Sequence, residues 1–162
     1  MLLNLGCGTD RKRDYLNCDL YVQAERRLDA VTLEGVGDGT VRGILAEHLL
    51  EHLGHRQAEK ALKRWFIAMA SGADLTVIVP DAARFVRAWL ESPGDVGLGE
   101  CVWGNQLHEG DYHRWGYTEE TLRAALEHAG FRVKKLERTA GRNHATRDVE
   151  PNACIRAEAV KP

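Results

Sequence analysis

Long hydrophobic runs are missing from this 162-residue chain. No stretch approaches the ~18 consecutive apolar residues that a membrane span requires. The opening Met1-Leu2-Leu3-Asn4-Leu5-Gly6 lacks the charged start and extended apolar core of a secretory leader. A surplus of charge is missing too. The 22 Lys and Arg stand against 24 Asp and Glu, for a net charge of −2, whereas phosphate-coating nucleic-acid binders carry a basic excess or stripe. Cysteine is scarce: Cys7, Cys18, Cys101 and Cys154 form no C-x-x-C pair and no disulfide-framework spacing. Repeats, low-complexity tracts and linkers are absent, and there are only four prolines. These absences leave a reduced, cytoplasmic single domain over residues 1–162, with neither membrane nor nucleic acid expected as a partner and the oligomeric state open. With 44% hydrophobic residues, a chain of this length buries about 70% of the surface its unfolded form exposes, enough for one core.

What is present is an alternation of two periods. Leu2 to Leu5 reads as a strand that meets Gly6-Cys7-Gly8 at once. Tyr15 to Cys18 reads as a second strand ending in Asp19, Leu28 to Leu33 as a third, and Val41 to Ala46 as a fourth, apolar enough for the middle of a sheet. From His55 the period becomes helical: Ala58, Ala61, Leu62, Trp65, Phe66 and Met69 share one face of a helix to about Ala70, which Ser71-Gly72 is expected to stop. Leu75 to Val79 is the strongest strand, closed by Pro80. A helix over Ala83 to Leu90 precedes a Gly/Pro loop over Ser92 to Gly99. Thr118 begins a capping box for a helix through His128, with Gly130 at its end. Phe131 to Leu136 and Ala153 to Val160 are the last strands. This order predicts an α/β fold: a mostly parallel sheet with an antiparallel edge hairpin and helices on both faces.

The first chemical signal is the strand that runs from Leu5 into Gly6-Cys7-Gly8. Glycine lets backbone pass close to a ligand because no Cβ intervenes. Asp19, at the end of the next strand, is suited to accept hydrogen bonds from ribose hydroxyls. The third glycine of the dinucleotide fingerprint is replaced by Arg11, which disfavours a nicotinamide or flavin dinucleotide.

Four segments occur in order: Asn4-Leu5-Gly6-Cys7-Gly8, Tyr15-Leu16-Asn17-Cys18-Asp19-Leu20, Ala46-Glu47-His48-Leu49-Leu50-Glu51-His52-Leu53 and Leu75-Thr76-Val77-Ile78-Val79-Pro80-Asp81. His113-Arg114-Trp115-Gly116-Tyr117-Thr118 and Ala129-Gly130-Phe131 follow. Together they resemble the class I S-adenosylmethionine-dependent methyltransferases, in particular the small type 11 group. The resemblance implies a Rossmann-like methyltransferase fold and S-adenosylmethionine as cofactor. It places Leu5, Gly6, Cys7 and Gly8 along the methionine part, Asp19 at the ribose and Leu20 beside the adenine, with a further adenine contact near Thr32 or Leu33. Ala46, Glu47 and His48 would form the wall below the sulfonium. Two departures accompany it: Asn4 stands where the wider family often has an acidic residue, and only ten residues separate Gly8 from Asp19, so the first helix is expected to shrink to a turn within Thr9 to Asp14.

Residues 101–117 hold Trp103, Asn105, Gln106, His108, Glu109, Asp111, Tyr112, His113, Arg114, Trp115 and Tyr117. Such a polar and aromatic segment suits a substrate loop, with His113 as candidate base and Tyr117 beside it as the catalytic pair. The function so implied is methyl transfer from S-adenosylmethionine to a small-molecule acceptor: a sugar, nucleotide-sugar or other metabolite. Two alternatives stay open. The shortened first helix also fits a cofactor-binding module that no longer catalyses, acting as a partner subunit. His48-Leu49-Leu50-Glu51-His52 spells the inverted zinc-protease motif, which on a helix would put both histidines on one face; no peptidase scaffold surrounds it, and no metal is assigned to the site.

Overall fold

The computed structural model of the protein describes residues 1–140 and 153–162. The described residues form one seven-stranded sheet. Leu2–Leu5 (β1), Leu16–Asp19 (β2), Arg26–Arg27 (β3), Val41–Glu47 (β4) and Met69–Pro80 (β5) are mutually parallel; Arg132–Thr139 (β6) and Cys154–Val160 (β7) add an antiparallel hairpin through β7. The spatial order is β3-β2-β1-β4-β5-β7-β6. Leu3, Leu5, Ile44, Leu75 and Val77 are buried in the sheet's core, as expected for parallel strands covered by other elements, and Ile155 of β7 joins them.

Among the described residues four α-helices pack around the sheet: His55–Ala68 (α1), Ala82–Glu91 (α2), Val96–Trp103 (α3) and Glu119–His128 (α4). From α1, Ala58, Ala61, Leu62 and Trp65 enter the main core, where α4 contributes Leu122 and Leu126. A smaller cluster of Phe85, Leu98, Cys101 and Ala153 joins α2 to α3. Helix starts follow short polar caps: the side chains of Asp81, Asp95 and Thr118 accept hydrogen bonds from the Arg84, Leu98 and Thr121 amides. No helix among the described residues is long and apolar enough to cross a membrane.

Four sequence expectations are corrected. The third strand is only Arg26–Arg27, and residues 28–33 turn instead. Their apolar alternation serves as inward anchors beneath α1: Leu28, Ala30 and Leu33 are buried, and Trp65 Nε1 donates to the Ala30 carbonyl at 2.7 Å. Second, α1 ends at Ala68 and the chain enters β5 at Met69 without a loop, so Ser71-Gly72 lies inside the strand, where the Gly72 amide donates to the Lys161 carbonyl. Third, α3 occupies residues read as loop. Gly97 and Gly99 each disfavour a helix by about 1 kcal/mol, but the Asp95 cap and packing of Leu98 and Cys101 on Phe85 prevail.

Fourth, no helix at all connects β1 to β2. Parallel strands ordinarily need a crossover of a dozen or more residues, usually helical. Here the side chain of Asn17 organises a coil: its Oδ1 accepts from the Lys12 amide (2.8 Å) and from Asn4 Nδ2 (2.9 Å), while its Nδ2 donates to the Lys12 and Tyr15 carbonyls (both 3.1 Å).

Candidate active site

The chain leaves β1 toward β2 on one side of the sheet centre and reaches β4 on the other, so β1 and β4 flank the point where strand order reverses. Their carboxyl ends open onto a cavity of about 430 Å³, within the usual range for small-molecule sites.

The floor comes from Gly6 and Gly8, both with positive φ (63° and 51°). A Cβ on Gly6 would lie 2.7 Å from Leu49 Cδ1, whereas one on Gly8 would meet nothing within 4 Å. Gly6 is therefore required by the protein's own packing, and Gly8 leaves open space at the cavity. The Gly8 amide donates to Asp19 Oδ2 at 2.9 Å, and Asp19 Oδ1 accepts from the amides of Tyr21 (2.8 Å) and Val22 (2.9 Å). A carboxylate has about four lone-pair sites. Asp19, 8% exposed and lining the cavity, thus spends three on backbone and keeps about one for a ligand.

Beyond Asp19 the wall continues through Leu20, Tyr21, Val22 and residues 28–31, the last held in place by the Trp65 bond to Ala30. The opposite wall is His48, Leu49, His52, Leu53 and Gln57. His48 follows directly on β4 with φ 54°, and its amide donates to the Ile78 carbonyl. Residues 108–111 and Arg114 close the mouth. They are held there by stacking of His108 on Tyr21 (centroids 5.4 Å apart) and by the Arg114 and Trp115 amides, which donate to the Glu51 carbonyl at 2.7 and 3.1 Å.

The His48 wall is backed by charge. His48 Nδ1 pairs with Glu51 Oε1 at 3.2 Å, and Glu51 is 2% exposed. Burial opposes a charged His48, but the nearby Cys154 thiol and the Glu51 carboxylate outweigh it and raise its pKa to about 10. Burial likewise opposes the Glu51 carboxylate, yet the hydrogen bond and charge of His48, with His52 and His113 behind, hold it below the ordinary range. The His52 and His113 rings meet edge to face, 4.8 Å apart. Burial pushes the His113 pKa down.

Of the residues singled out from sequence, Gly6, Gly8, Asp19, Leu20 and His48 line the cavity. Leu5, Cys7, Leu33 and Ala46 are buried behind it and do not line it. Leu33 in particular is 1% exposed with φ 47° and belongs to the core under α1, not to an adenine contact. Glu47 faces the Lys12 ammonium at 3.2 Å instead of the cavity. His113 stands one ring behind His52 and does not reach the cavity wall. Tyr117 is not in the cavity either. It is 3% exposed, burial raises its hydroxyl pKa, and it borders a separate cavity of about 490 Å³ with His55 and Trp115, between α1 and α4. The zinc-protease spacing does not form its face: His48 lies outside any helix, and residues Leu50–His52 make a single 3₁₀ turn.

Sequence reasoning missed Tyr21, residues 28–31, Leu49 and Gln57, whereas the 101–117 segment it read as a substrate loop is the one from which residues 108–111 and Arg114 reach the cavity mouth. An exposed aromatic directly after Asp19-Leu20 was the available signal for Tyr21; the others depend on tertiary placement.

No family model matches the sequence, and no curated protein does either. Solved structures match over nearly the whole chain. An S-adenosylmethionine-dependent methyltransferase from Archaeoglobus fulgidus superposes with a TM-score of 0.68 at 16% identity, over 99% of this chain and 85% of its own. One from Methanosarcina mazei gives 0.69 at 13% identity, over 99% and 91%. The Burkholderia thailandensis 1,6-didemethyltoxoflavin-N1-methyltransferase, crystallised with its substrate and S-adenosylhomocysteine, gives 0.63 at 16% identity, over 99% and 70%.

Proposed function

From the Rossmann-like methyltransferase fold that this chain adopts, we propose that the protein is an enzyme that binds S-adenosylmethionine in the β1–β4 cleft. It transfers a methyl group to a small-molecule acceptor: a sugar, nucleotide-sugar or other metabolite. The observation that carries this reading is the pairing of Gly8 and Asp19 at the strand-order reversal, where a glycine faces open space and a carboxylate with about one lone pair left over faces the same cavity.

The residues present fit the cofactor. Gly6 and Gly8 admit its methionine portion, and Asp19 accepts from one ribose hydroxyl. Tyr21 and residues 28–31 flank the adenine, and His48 and His52 form the wall toward the acceptor. When bound, S-adenosylmethionine supplies a methyl group made electrophilic by its sulfonium. What the chain adds is position and exclusion of water, since in-line substitution gains most from holding the acceptor behind the methyl. The Tyr21–His108 stack and the Glu51 anchor keep residues 108–114 over the mouth. Cys7 takes no part as a nucleophile: it is buried, and burial raises its thiol pKa. His113 acts from behind His52, as a positioning group for the wall.

A small acceptor is supported by the balanced charge and the modest cavity. The missing first helix supports a second reading, a binding module without turnover. Calorimetry with S-adenosylhomocysteine should give one site per chain, and a panel of small hydroxyl and amine acceptors should yield labelled product from S-adenosylmethionine. Binding without turnover across the panel selects the module. Failure to bind at millimolar ligand overturns both.

A further inference from the structure

Behind the His52 wall lies a group of side chains that methyl transfer does not itself require. Glu51, His52 and His113 each offer a ligand atom, and these atoms all lie within 4.8 Å of one another. Glu51 Oε2 and His52 Nδ1 are both buried without a hydrogen-bond partner. An orphaned oxygen on a buried carboxylate is a costly arrangement unless something binds it.

The surrounding atoms are arranged as outer supports of a metal site. His113 Nδ1 lies 3.1 Å from the Cys101 carbonyl oxygen. A carbonyl only accepts, so Nδ1 carries the proton and Nε2 keeps its lone pair. Metal-bound histidines are commonly fixed in this way by a backbone carbonyl on the other nitrogen. Glu51 Oε1 is oriented by His48 Nδ1, which leaves Oε2 turned away from that bond. Two backbone bonds from residues 114 and 115 to the Glu51 carbonyl hold the His113 segment against the turn that carries Glu51 and His52.

We infer that Glu51, His52 and His113 bind a divalent first-row transition cation, with Zn²⁺ as the representative ion. Two imidazoles and one carboxylate select this class over Mg²⁺ or Ca²⁺, which prefer all-oxygen shells. Bonds of about 2.0–2.2 Å place tetrahedral ligands ~3.4 Å apart, so from separations of up to 4.8 Å binding draws the pairs together by up to about 1.4 Å. These ligands differ from the pair the H-x-x-E-H spacing suggested, because His48 serves Glu51 as an orienting partner. Three protein ligands leave at least one coordination position for water or for an oxygen of the acceptor. That last role rests on the methyl-transfer reading; the ion site does not.

The test uses the full chain, stripped with a chelator and dialysed. Co²⁺ titration should produce visible d–d absorption saturating at one equivalent, Zn²⁺ should displace it, and Zn²⁺ should raise the melting temperature. Glu51→Gln and His113→Asn should each weaken Zn²⁺ binding by ~10²-fold or more. X-ray absorption of the zinc-loaded wild type should show nitrogen and oxygen neighbours and no sulfur, a readout independent of whether the variants fold. Absence of Co²⁺ absorption, sulfur in the zinc shell, or unchanged affinity in folded variants would overturn the site. Calorimetry with S-adenosylhomocysteine on the same zinc-loaded sample separates the two ideas: zinc bound without S-adenosylhomocysteine binding overturns the methyl-transfer reading alone, and the reverse overturns the ion site alone.

Discussion

Replacing Asp19 by alanine perturbs the fold and the ligand site together, and the structure separates the two effects. The carboxylate accepts from the Gly8, Tyr21 and Val22 amides at 2.8–2.9 Å. Hydrogen bonds to charged groups contribute roughly 1.5–3 kcal/mol each when strong. These amides sit beside a cavity, where water replaces part of what is lost, so the summed destabilisation should be about 3–4 kcal/mol. For a chain of this size each kcal/mol moves the melting temperature by roughly 2–4 °C, so scanning calorimetry should show a drop of about 6–16 °C. With about one lone pair left for the ligand, the direct loss in S-adenosylhomocysteine affinity is one charge-assisted bond, about 1.5–3 kcal/mol or ~10–150-fold. Asp19→Asn is the sharper variant. It can keep an oxygen toward Tyr21 and Val22 while presenting an amide to the Gly8 N–H, so it should lose ligand affinity with a smaller melting shift. An Asp19→Ala protein that melts with the wild type would remove the three backbone bonds; one that binds S-adenosylhomocysteine normally would remove Asp19 from the ligand.

Gly8→Val should stay soluble, because its Cβ meets no protein atom, but the strained φ and a side chain in the open space should reduce S-adenosylhomocysteine affinity at least tenfold by calorimetry. Trp65→Phe removes the Ala30 bond and frees residues 28–31; a stability loss of about 1–2 kcal/mol in urea should accompany weaker ligand binding. Tyr21→Ala removes the His108 stack, and limited proteolysis should then cut faster within residues 104–112. All four cysteines are buried, and the Cys18 and Cys101 thiols are pushed up to about 11 by burial. At pH 8 such thiols are ~0.1% thiolate, so a disulfide reagent should label the native protein only at the rate at which it opens.

The sheet was legible where one period dominated. Leu2–Leu5, Val41–Glu47 and the β-branched core of Met69–Pro80 declared themselves as strands, and Ala58 through Trp65 as a helix face. Residues 28–33 misled because an inward alternation looks the same whether it pairs with a strand or anchors a coil under a helix. Helix α3 was hidden by two glycines whose cost is met by contacts with Phe85, distant in sequence. At the site, Gly6, Gly8 and Asp19 were readable because strand ends fix them locally. His52 was not, and although the 101–117 segment was readable as a loop, its seat over the cleft was not, since that depends on the His108–Tyr21 stack and the backbone bonds between Glu51 and residues 114 and 115. Tyr117 lies outside the cavity for a related reason. The composition of its segment spoke of a surface loop, while its ring is used as core.

The coil organised by Asn17 divides the cleft mechanically. On one side, β4, β5, β7 and β6 form long ladders of six or seven paired residues each. On the other, β2 meets β1 over three residues and β3 over two, with coil in place of a crossover helix. Amide exchange should therefore find β2, β3 and residues 9–15 opening as one low-energy unit while the β4–β5 block stays closed. The proposed ribose and adenine contacts belong to the yielding half, and the His48 wall to the stiff one. A nucleoside entering the cleft would then be gripped by a surface that orders around it, at an entropic cost, while the end bearing the reactive carbon is presented to a frame that hardly moves.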